Sequence, residues 1–186
     1  MDLEKMGQAA RRASLAMASL SGEDRCRGLA AAAAAIEENG PKMVEANRLD
    51  VAAAQEAGLA GPMVKRLTLD EKKIRGMASA LRELVSIPDP VGHREHVSTR
   101  PNGLEIYRVR VPFGVVGVIY ESRPNVTAEA SGIGLKSGNA IILKGGTEAQ
   151  RPNEPTFPPP RGAWHPPGPP KYPPPLVDRP PRDPPP

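Results

Sequence analysis

The prolines of this chain are distributed so unevenly that only part of it can form a packed core. Residues 1–150 contain seven of the 24 prolines, and residues 151–186 contain the other 17. Proline restricts φ and has no backbone N–H to donate, so the second segment can complete neither a helix nor a sheet ladder. We therefore expect residues 1–150 to form the folded part and residues 151–186 to be a disordered tail with a polyproline II bias.

Charge and hydropathy exclude several classes of function. The net charge is only +4, and residues 1–150 carry 20 Lys and Arg against 18 Asp and Glu. With no basic cluster and only three Tyr, two Phe and one Trp for base stacking, no nucleic-acid partner is expected. No apolar run reaches the roughly 20 residues of a membrane helix, and the N-terminus lacks a secretory signal. A single cysteine excludes an internal disulfide. Together, these absences lead us to expect a cytoplasmic protein without a membrane association.

The first half of the folded part has apolar residues at helical spacing. Ser21 with Asp24 is typical of a helix N-cap, and Gly40-Pro41 is expected to end the helix that begins there. Thr68 with Glu71 predicts a capping box for a later helix. The helices predicted in this way cover residues 3–20, 22–39, 41–57 and 69–85.

The spacing of the apolar residues changes from a helical to an alternating pattern beyond Pro90. Residues 104–111 alternate as a half-exposed strand would, and Val115–Tyr120 is a short β-branched run typical of a buried parallel strand. Residues 126–137 can form a helix that closes at Gly138-Asn139, and 140–144 is a second buried strand. A helical front followed by a βαβ unit predicts an α/β fold.

Polar residues follow the first of these parallel strands, where ligands bind in open α/β sheets. Asn125 offers an amide donor for an oxyanion, although the residue types alone favour a polar loop in which Asn125 is a turn residue or begins a helix. Arg123 has the forked geometry that suits phosphate or carboxylate. Lys144, at the end of the second strand, can reach a cofactor, or it can simply be a solvated lysine. The glycines of Pro112–Gly117 allow close approach of a cofactor or form a turn, and they do not make the GxGxxG fingerprint.

Two further groups carry no chemistry that the pattern supports. Arg25 and Arg27 flank Cys26, but adjacent residues on a helix do not share a face, so Cys26 is interpreted as structural or incidental. His93 and His96 have no cysteine or acid pattern around them, and no metal site is expected.

Residues 1–150, above all the block Val111–Gly146, resemble the γ-glutamyl phosphate reductase family of the aldehyde dehydrogenase superfamily. The segments 47–50 and 66–68 also resemble that family. The resemblance implies NADPH-dependent reduction of L-glutamyl 5-phosphate to L-glutamate 5-semialdehyde and phosphate in L-proline biosynthesis. It further implies a small-molecule substrate, a homo-oligomer and a cysteine nucleophile that forms a thioester for NADPH to reduce.

The resemblance assigns roles to only a few positions of this chain. Asn125 matches the oxyanion-binding asparagine, with Arg123 as a rival alignment and a candidate for substrate binding. Lys144 matches a lysine at the adenosine ribose, and the neighbouring cofactor-binding positions are Gly145, Gly146 and Glu148.

The nucleophilic cysteine lies downstream in the family, where this chain has proline. We therefore expect a truncated cofactor-binding domain that is inactive alone, and a frameshift near codon 150 is one hypothesis for the tail. The alternatives are a binding module that displays Pro169-Pro-Lys-Tyr172, a PPxY-like motif, and an inert fragment.

Overall fold

The computed structural model describes residues 3–121 and 123–145. The predicted tail, its PPxY-like motif, Gly146 and Glu148 lie outside the described residues. The elements, in chain order, are α1 (Leu3–Ala18), α2 (Gly22–Glu56), α3 (Gly61–Leu67), α4 (Glu71–Ser86), β1 (Arg94–Thr99), β2 (Glu105–Val109), β3 (Val115–Ile119), α5 (Pro124–Lys136) and β4 (Ala140–Lys144). This mixture of helices and strands confirms the predicted α/β class.

The long helix α2 corrects the prediction of a break at Gly40-Pro41. It begins at the predicted cap, where Ser21 and Asp24 form a reciprocal capping box, and it continues through Pro41 to Glu56. Pro41 lies on the exposed side of the helix, so the carbonyl that loses its partner there can be hydrated. Gly40 lies on the buried side, where an added Cβ would be 2.9 Å from Ile74 Cγ2. Packing of this face against α4 therefore outweighs the local cost of proline, which is about 3 kcal/mol.

The connection from α3 to α4 also differs from the prediction. Asp70, rather than Thr68, caps α4, and its side chain accepts a hydrogen bond from the Lys73 amide. The Thr68 hydroxyl instead donates to the Val64 carbonyl at the end of α3. The seven-residue helix α3, with proline in its first turn, was not predicted.

A buried asparagine on α2 holds this connection in place. Asn47 is 1% exposed, its Nδ2 donates to the Leu67 carbonyl at 3.0 Å, and its Oδ1 accepts from the Leu69 amide at 2.6 Å. Because its partners are backbone groups on the two sides of Thr68, the C-cap of α3, Asn47 fixes the end of α3 and the start of the connection to α4 relative to α2.

The main hydrophobic core lies between α2, α4 and α5. Helix α5 can approach closely because Gly132 faces the core, where an added Cβ would be 2.4 Å from Leu81 Cδ2. The buried hydrophobic residues of this core are Leu29, Ala32, Ala33, Ile36, Met43, Leu69, Ile74, Met77, Ala78, Leu81, Ala128 and Leu135.

The strands form two separate two-stranded sheets among the described residues. β1 and β2 make an antiparallel hairpin, with β2 confirming part of the predicted strand at 104–111 and β1 lying in a stretch for which no strand was predicted. Residues of both strands are mostly exposed.

The β3–α5–β4 unit confirms the predicted βαβ arrangement. β3 and β4 are parallel, with Val115 paired with Ala140 and Ile119 with Lys144. Gly138 closes α5 with φ +72°, as the sequence predicted. The expectation of a fully buried β3 is wrong, because Ile119 is 81% exposed and no β3 residue is classed as buried. A strand buried in a parallel sheet has neighbouring strands on both edges and covering helices on both faces, and among the described residues β3 has a neighbouring strand on one edge only.

Candidate functional site at the carboxyl ends of β3 and β4

The βαβ unit brings the predicted polar residues to one edge of the sheet. The Tyr120 amide donates to the Lys144 carbonyl at 3.0 Å, which aligns the carboxyl ends of β3 and β4. The chain after Tyr120 leads into α5, so Glu121, residues 123–125 and Lys144 lie at the same edge, where open parallel sheets bind ligands.

Arg123 and Asn125 lie at the amino terminus of α5. Arg123 is the N-cap residue and makes no side-chain cap hydrogen bond, and Pro124 occupies the first turn. Asn125 Nδ2 donates to Glu129 Oε1, one turn further along the helix, at 3.1 Å. Asn125 thus begins a helix, and an oxyanion at this site would compete with Glu129 for its amide.

Glu121 lies between two arginines. Arg66 Nη1, from α3, is 3.1 Å from Glu121 Oε2, and Arg123 Nη2 is 4.0 Å from the same oxygen. The side chains of Arg66, Arg123 and Glu121 are 52%, 47% and 73% exposed. The sequence interpretation missed the proximity of Arg66, which arises from packing across 55 positions. The only signal in the sequence that pointed to Arg66 was the family resemblance of the segment 66–68.

Lys144 is exposed and Gly145 is half-buried. The Lys144 side chain is therefore accessible to a ligand at the sheet edge, while its carbonyl is held by Tyr120. These are the two predicted cofactor-binding residues that the structure describes.

Tyr120 is a second residue that the sequence interpretation missed, since it was assigned only to the strand. Its hydroxyl is hydrogen-bonded to the hydroxyl of Thr127, which is 3% exposed. Burial raises the pKa of the Tyr120 phenol, although the hydrogen bond with Thr127 opposes that shift. The pair fixes the first turns of α5 against the end of β3.

The glycine-containing segment Pro112–Gly117 runs from the opposite, amino end of the sheet into β3, which includes Gly117. Gly114 has φ +108°, its amide donates to Asn139 Oδ1 at 2.9 Å, and its carbonyl accepts from the Ala140 amide. Nothing lies within 4 Å of a Cβ built at Gly117. The bonds of Gly114, at the start of this segment, set the register of β3 and β4.

Cys26 lies far from this edge. Its Sγ is 3.3 Å from Lys136 Nζ and 3.7 Å from the Val85 carbonyl. Lys136 is the last residue of α5, so it is about 18 Å along the helix from Pro124 at a rise of 1.5 Å per residue. Cys26 therefore has a place in the packing of α2 against α5 and none at the carboxyl ends of the strands.

Two features are absent from the described residues. No three or more His, Cys, Asp or Glu side chains in 3–121 and 123–145 are grouped so that they could hold a metal ion. In the same part of the chain, no helix combines the length and the apolar character needed to cross a membrane.

The chain belongs to the aldehyde dehydrogenase family. The model of the aldehyde dehydrogenase family matches residues 1–151.

Within the family, the chain is similar to γ-glutamyl phosphate reductases. It is 49% identical to the γ-glutamyl phosphate reductase of Moorella thermoacetica over 154 residues, 83% of this chain and 37% of that protein. The crystal structure of the Thermotoga maritima γ-glutamyl phosphate reductase matches with a TM-score of 0.79 and 37% identity, over 83% of this chain and 37% of that one.

A more distant neighbour shows the same fold. The NAD-dependent benzaldehyde dehydrogenase of Corynebacterium glutamicum matches with a TM-score of 0.62 at 24% identity, over 80% of this chain and 30% of that one. The present chain spans only about 37% of the length of these γ-glutamyl phosphate reductases.

Proposed function

We propose that this chain is the cofactor-side portion of a γ-glutamyl phosphate reductase. The complete reaction is the NADPH-dependent reduction of L-glutamyl 5-phosphate to L-glutamate 5-semialdehyde and phosphate in L-proline biosynthesis, in the cytoplasm. The observation that carries this proposal is the 49% identity to an enzyme of that name, together with cationic side chains at the carboxyl ends of the parallel strands.

The described residues fit a dinucleotide cofactor. Lys144 is exposed at the end of β4, in register with Ile119 of β3, and its ammonium group can bind a ribose hydroxyl or a phosphate. Gly145 follows it without a side chain that would narrow the approach. When bound, NADPH supplies the hydride of the reaction. Gly146 and Glu148 are proposed to continue the same binding surface.

At the substrate end of the site, Arg123 and Asn125 are proposed to act on the reacting group. The Asn125 amide would donate to the oxyanion that forms at the acyl carbon, after leaving Glu129. The Arg123 guanidinium would bind the substrate's phosphate or carboxylate through its planar fork. Both residues start a helix whose N-terminus favours negative charge.

The chain by itself is proposed to be inactive, because the covalent step needs a thiol at the acyl carbon. Cys26 is the one cysteine of the sequence, and it packs beside Lys136 at the far end of α5. A purified 186-residue chain should therefore not form NADPH from L-glutamate 5-semialdehyde, phosphate and NADP⁺. Turnover that survives Cys26→Ala would show that another group acts as the nucleophile, and turnover abolished by this change would place Cys26 at the reacting carbon.

Cofactor binding can be tested without turnover. We expect the fluorescence of NADPH to change on titration with the full chain, and Lys144→Ala to weaken that binding. Lys42→Ala is the matched control, since Lys42 is an exposed lysine on α2. Equal affinities for the two variants would contradict the assignment of Lys144 to the cofactor.

A further inference from the structure

The geometry points to Arg66 and Arg123 as two halves of a binding site for a phosphate group, with the Glu121 carboxylate occupying that site in the absence of the phosphate. Arg66 and Glu121 are the new elements of this site. The inference rests on the proposed function only for the molecule to which the phosphate belongs.

The two guanidinium groups converge on one oxygen atom. Glu121 Oε2 is 3.1 Å from Arg66 Nη1 and 4.0 Å from Arg123 Nη2. Arg66 lies in α3 and Arg123 lies at the start of α5, so an anion between them would be bound by side chains of two separate elements. Arginine is suited to this role because its planar fork matches the oxygens of phosphate.

The position of Arg66 is set by buried structure rather than by the ion pair. Asn47, 1% exposed, holds the Leu67 carbonyl next in sequence to Arg66, and it also holds the Leu69 amide. The backbone that carries Arg66 therefore stays in place when Glu121 moves away.

Charge favours replacement of Glu121 by a phosphate dianion. Two guanidinium groups face one carboxylate, so the group retains a net positive charge. The side chain of Glu121 is 73% exposed, and ion pairs of such exposed groups contribute little to stability. The amino terminus of α5 lies beside them, and its N-cap residue makes no side-chain cap hydrogen bond. A dianion gains more from this environment than a single carboxylate does.

Other exposed ion pairs lack this arrangement. Arg75 pairs with Glu71 within α4, at a spacing of four residues, and Arg48 pairs with Glu45 within α2. Those pairs follow from helical spacing alone. The Arg82–Glu37 and Arg108–Glu95 pairs do join separate elements, but each has a single guanidinium group. The group of Arg66, Glu121 and Arg123 instead places two guanidinium groups at one carboxylate, at the carboxyl edge of the sheet.

Binding of inorganic phosphate to the full chain tests the site. Phosphate would be titrated at constant ionic strength, set with chloride, and followed by calorimetry and by ³¹P line broadening. We expect Arg66→Gln to weaken binding by about threefold or more, the equivalent of one modest hydrogen bond. Glu121→Gln should strengthen binding by a similar factor, because the competing carboxylate is gone. Arg66→Lys, which keeps the charge without the fork, should lie between wild type and Arg66→Gln.

The matched controls come from the ion pair within α4. Arg75→Gln and Glu71→Gln alter the net charge equally, and they should leave phosphate affinity unchanged. The inference is overturned if Arg66→Gln behaves like Arg75→Gln, or if Glu121→Gln fails to strengthen binding beyond Glu71→Gln. Circular dichroism of each variant confirms that the helices are retained.

Further titrations identify the source of the phosphate and separate this inference from the proposed function. If Arg66→Gln weakens acetyl phosphate binding and leaves NADPH binding unchanged, the site takes the acyl phosphate of the substrate. If it weakens NADPH but not NADH, the site takes the 2′-phosphate of the cofactor. If no dinucleotide binds while phosphate still depends on Arg66 and Glu121, the site stands and the cofactor proposal fails. If NADPH binds but phosphate ignores both residues, the cofactor proposal stands and this inference fails.

Discussion

Replacing Asp89 with asparagine is predicted to lower the free energy of unfolding by about 2 kcal/mol at pH 7. Arg25, near the start of α2, is 2% exposed, and its Nη2 donates to both Asp89 carboxylate oxygens, at 2.8 and 2.7 Å. Asp89 Oδ1 also accepts from the Val91 amide at 3.0 Å. The pair thus holds the start of α2 against the segment that follows α4.

The magnitude comes from what asparagine keeps and what it loses. The amide oxygen can still accept from Val91, but Arg25 is left in a buried position opposite a neutral group. Breaking a fully buried pair costs about 3–5 kcal/mol. The Asp89 side chain is 37% exposed, so water screens part of that loss, and one charge-assisted hydrogen bond, worth roughly 1.5–3 kcal/mol, is the better measure.

The same pair predicts a dependence of stability on pH. Burial acts to raise the pKa of Asp89, but the Val91 amide, the Arg25 guanidinium and the Lys136 charge more than offset it, and the net pKa is below the ordinary value. A carboxyl group with a depressed folded-state pKa contributes stability that is fully present above its unfolded pKa, about 4. That stability is lost as the pH falls through the folded pKa. The difference between wild type and Asp89→Asn should therefore shrink below about pH 4.

The measurement is urea unfolding followed by circular dichroism, since urea does not screen charge. Glu71→Gln is the control, because it removes an exposed ion pair on α4 and should change stability by less than about 0.5 kcal/mol. Gly22→Ala gives an independent check, since its Cβ would be 2.3 Å from Asp89 Oδ2 and would displace the same carboxylate. The two changes should be non-additive. Equal losses for Asp89→Asn and Glu71→Gln, or a loss that does not vary with pH, would refute the reasoning.

Three further changes have predicted outcomes. Gly132→Ala should lower the free energy of unfolding in urea by about 1 kcal/mol, because a new methyl group 2.4 Å from a buried leucine outweighs the gain in helix propensity. Gly76→Ala, where nothing lies within 4 Å of the added Cβ, should instead raise it by roughly 0.5–1 kcal/mol. Equal effects of the two changes would contradict the close packing at Gly132. Tyr120→Phe should lower the free energy of unfolding by about 1 kcal/mol. In a spectrophotometric titration it should also remove the signal of a phenol whose pKa is above the ordinary value. An unchanged titration curve would contradict this prediction. Ile119→Lys should reduce self-association measured by sedimentation, since it removes an exposed apolar side chain from β3, which has one unpaired edge among the described residues. Leu49→Lys, on an exposed helix surface, should not reduce it; similar sedimentation of the two variants would argue against association through β3.

Local signals predicted much of the fold because their physics is local. The capping box of Ser21 and the left-handed Gly138 each involve groups within a few residues, and both are present. The strand–helix–strand order of the βαβ unit was equally readable from apolar periodicity. The same locality misplaced the cap of α4, since Thr68 and Asp70 are both good caps and only the structure selects between them.

The candidate site was predictable in part. Arg123, Asn125 and Lys144 were identified from their places after strands, and the structure brings them to one edge of the sheet. Their roles remain predictions. Arg66 and the Tyr120–Thr127 pair were missed, because neither has a motif of its own and each matters through a neighbour brought close by folding.

The sequence alone determined the family, the helical front, the βαβ unit and the lack of a cysteine after residue 26. These follow from residue identities, capping and short-range periodicity. Tertiary structure alone decided that α2 continues through Pro41, that Asn47 holds the end of α3, and that Arg66 meets Glu121. The physical reason is that these outcomes depend on burial and on contacts between residues as many as 55 positions apart, which outweigh local preference where a buried face or a buried polar group must be satisfied.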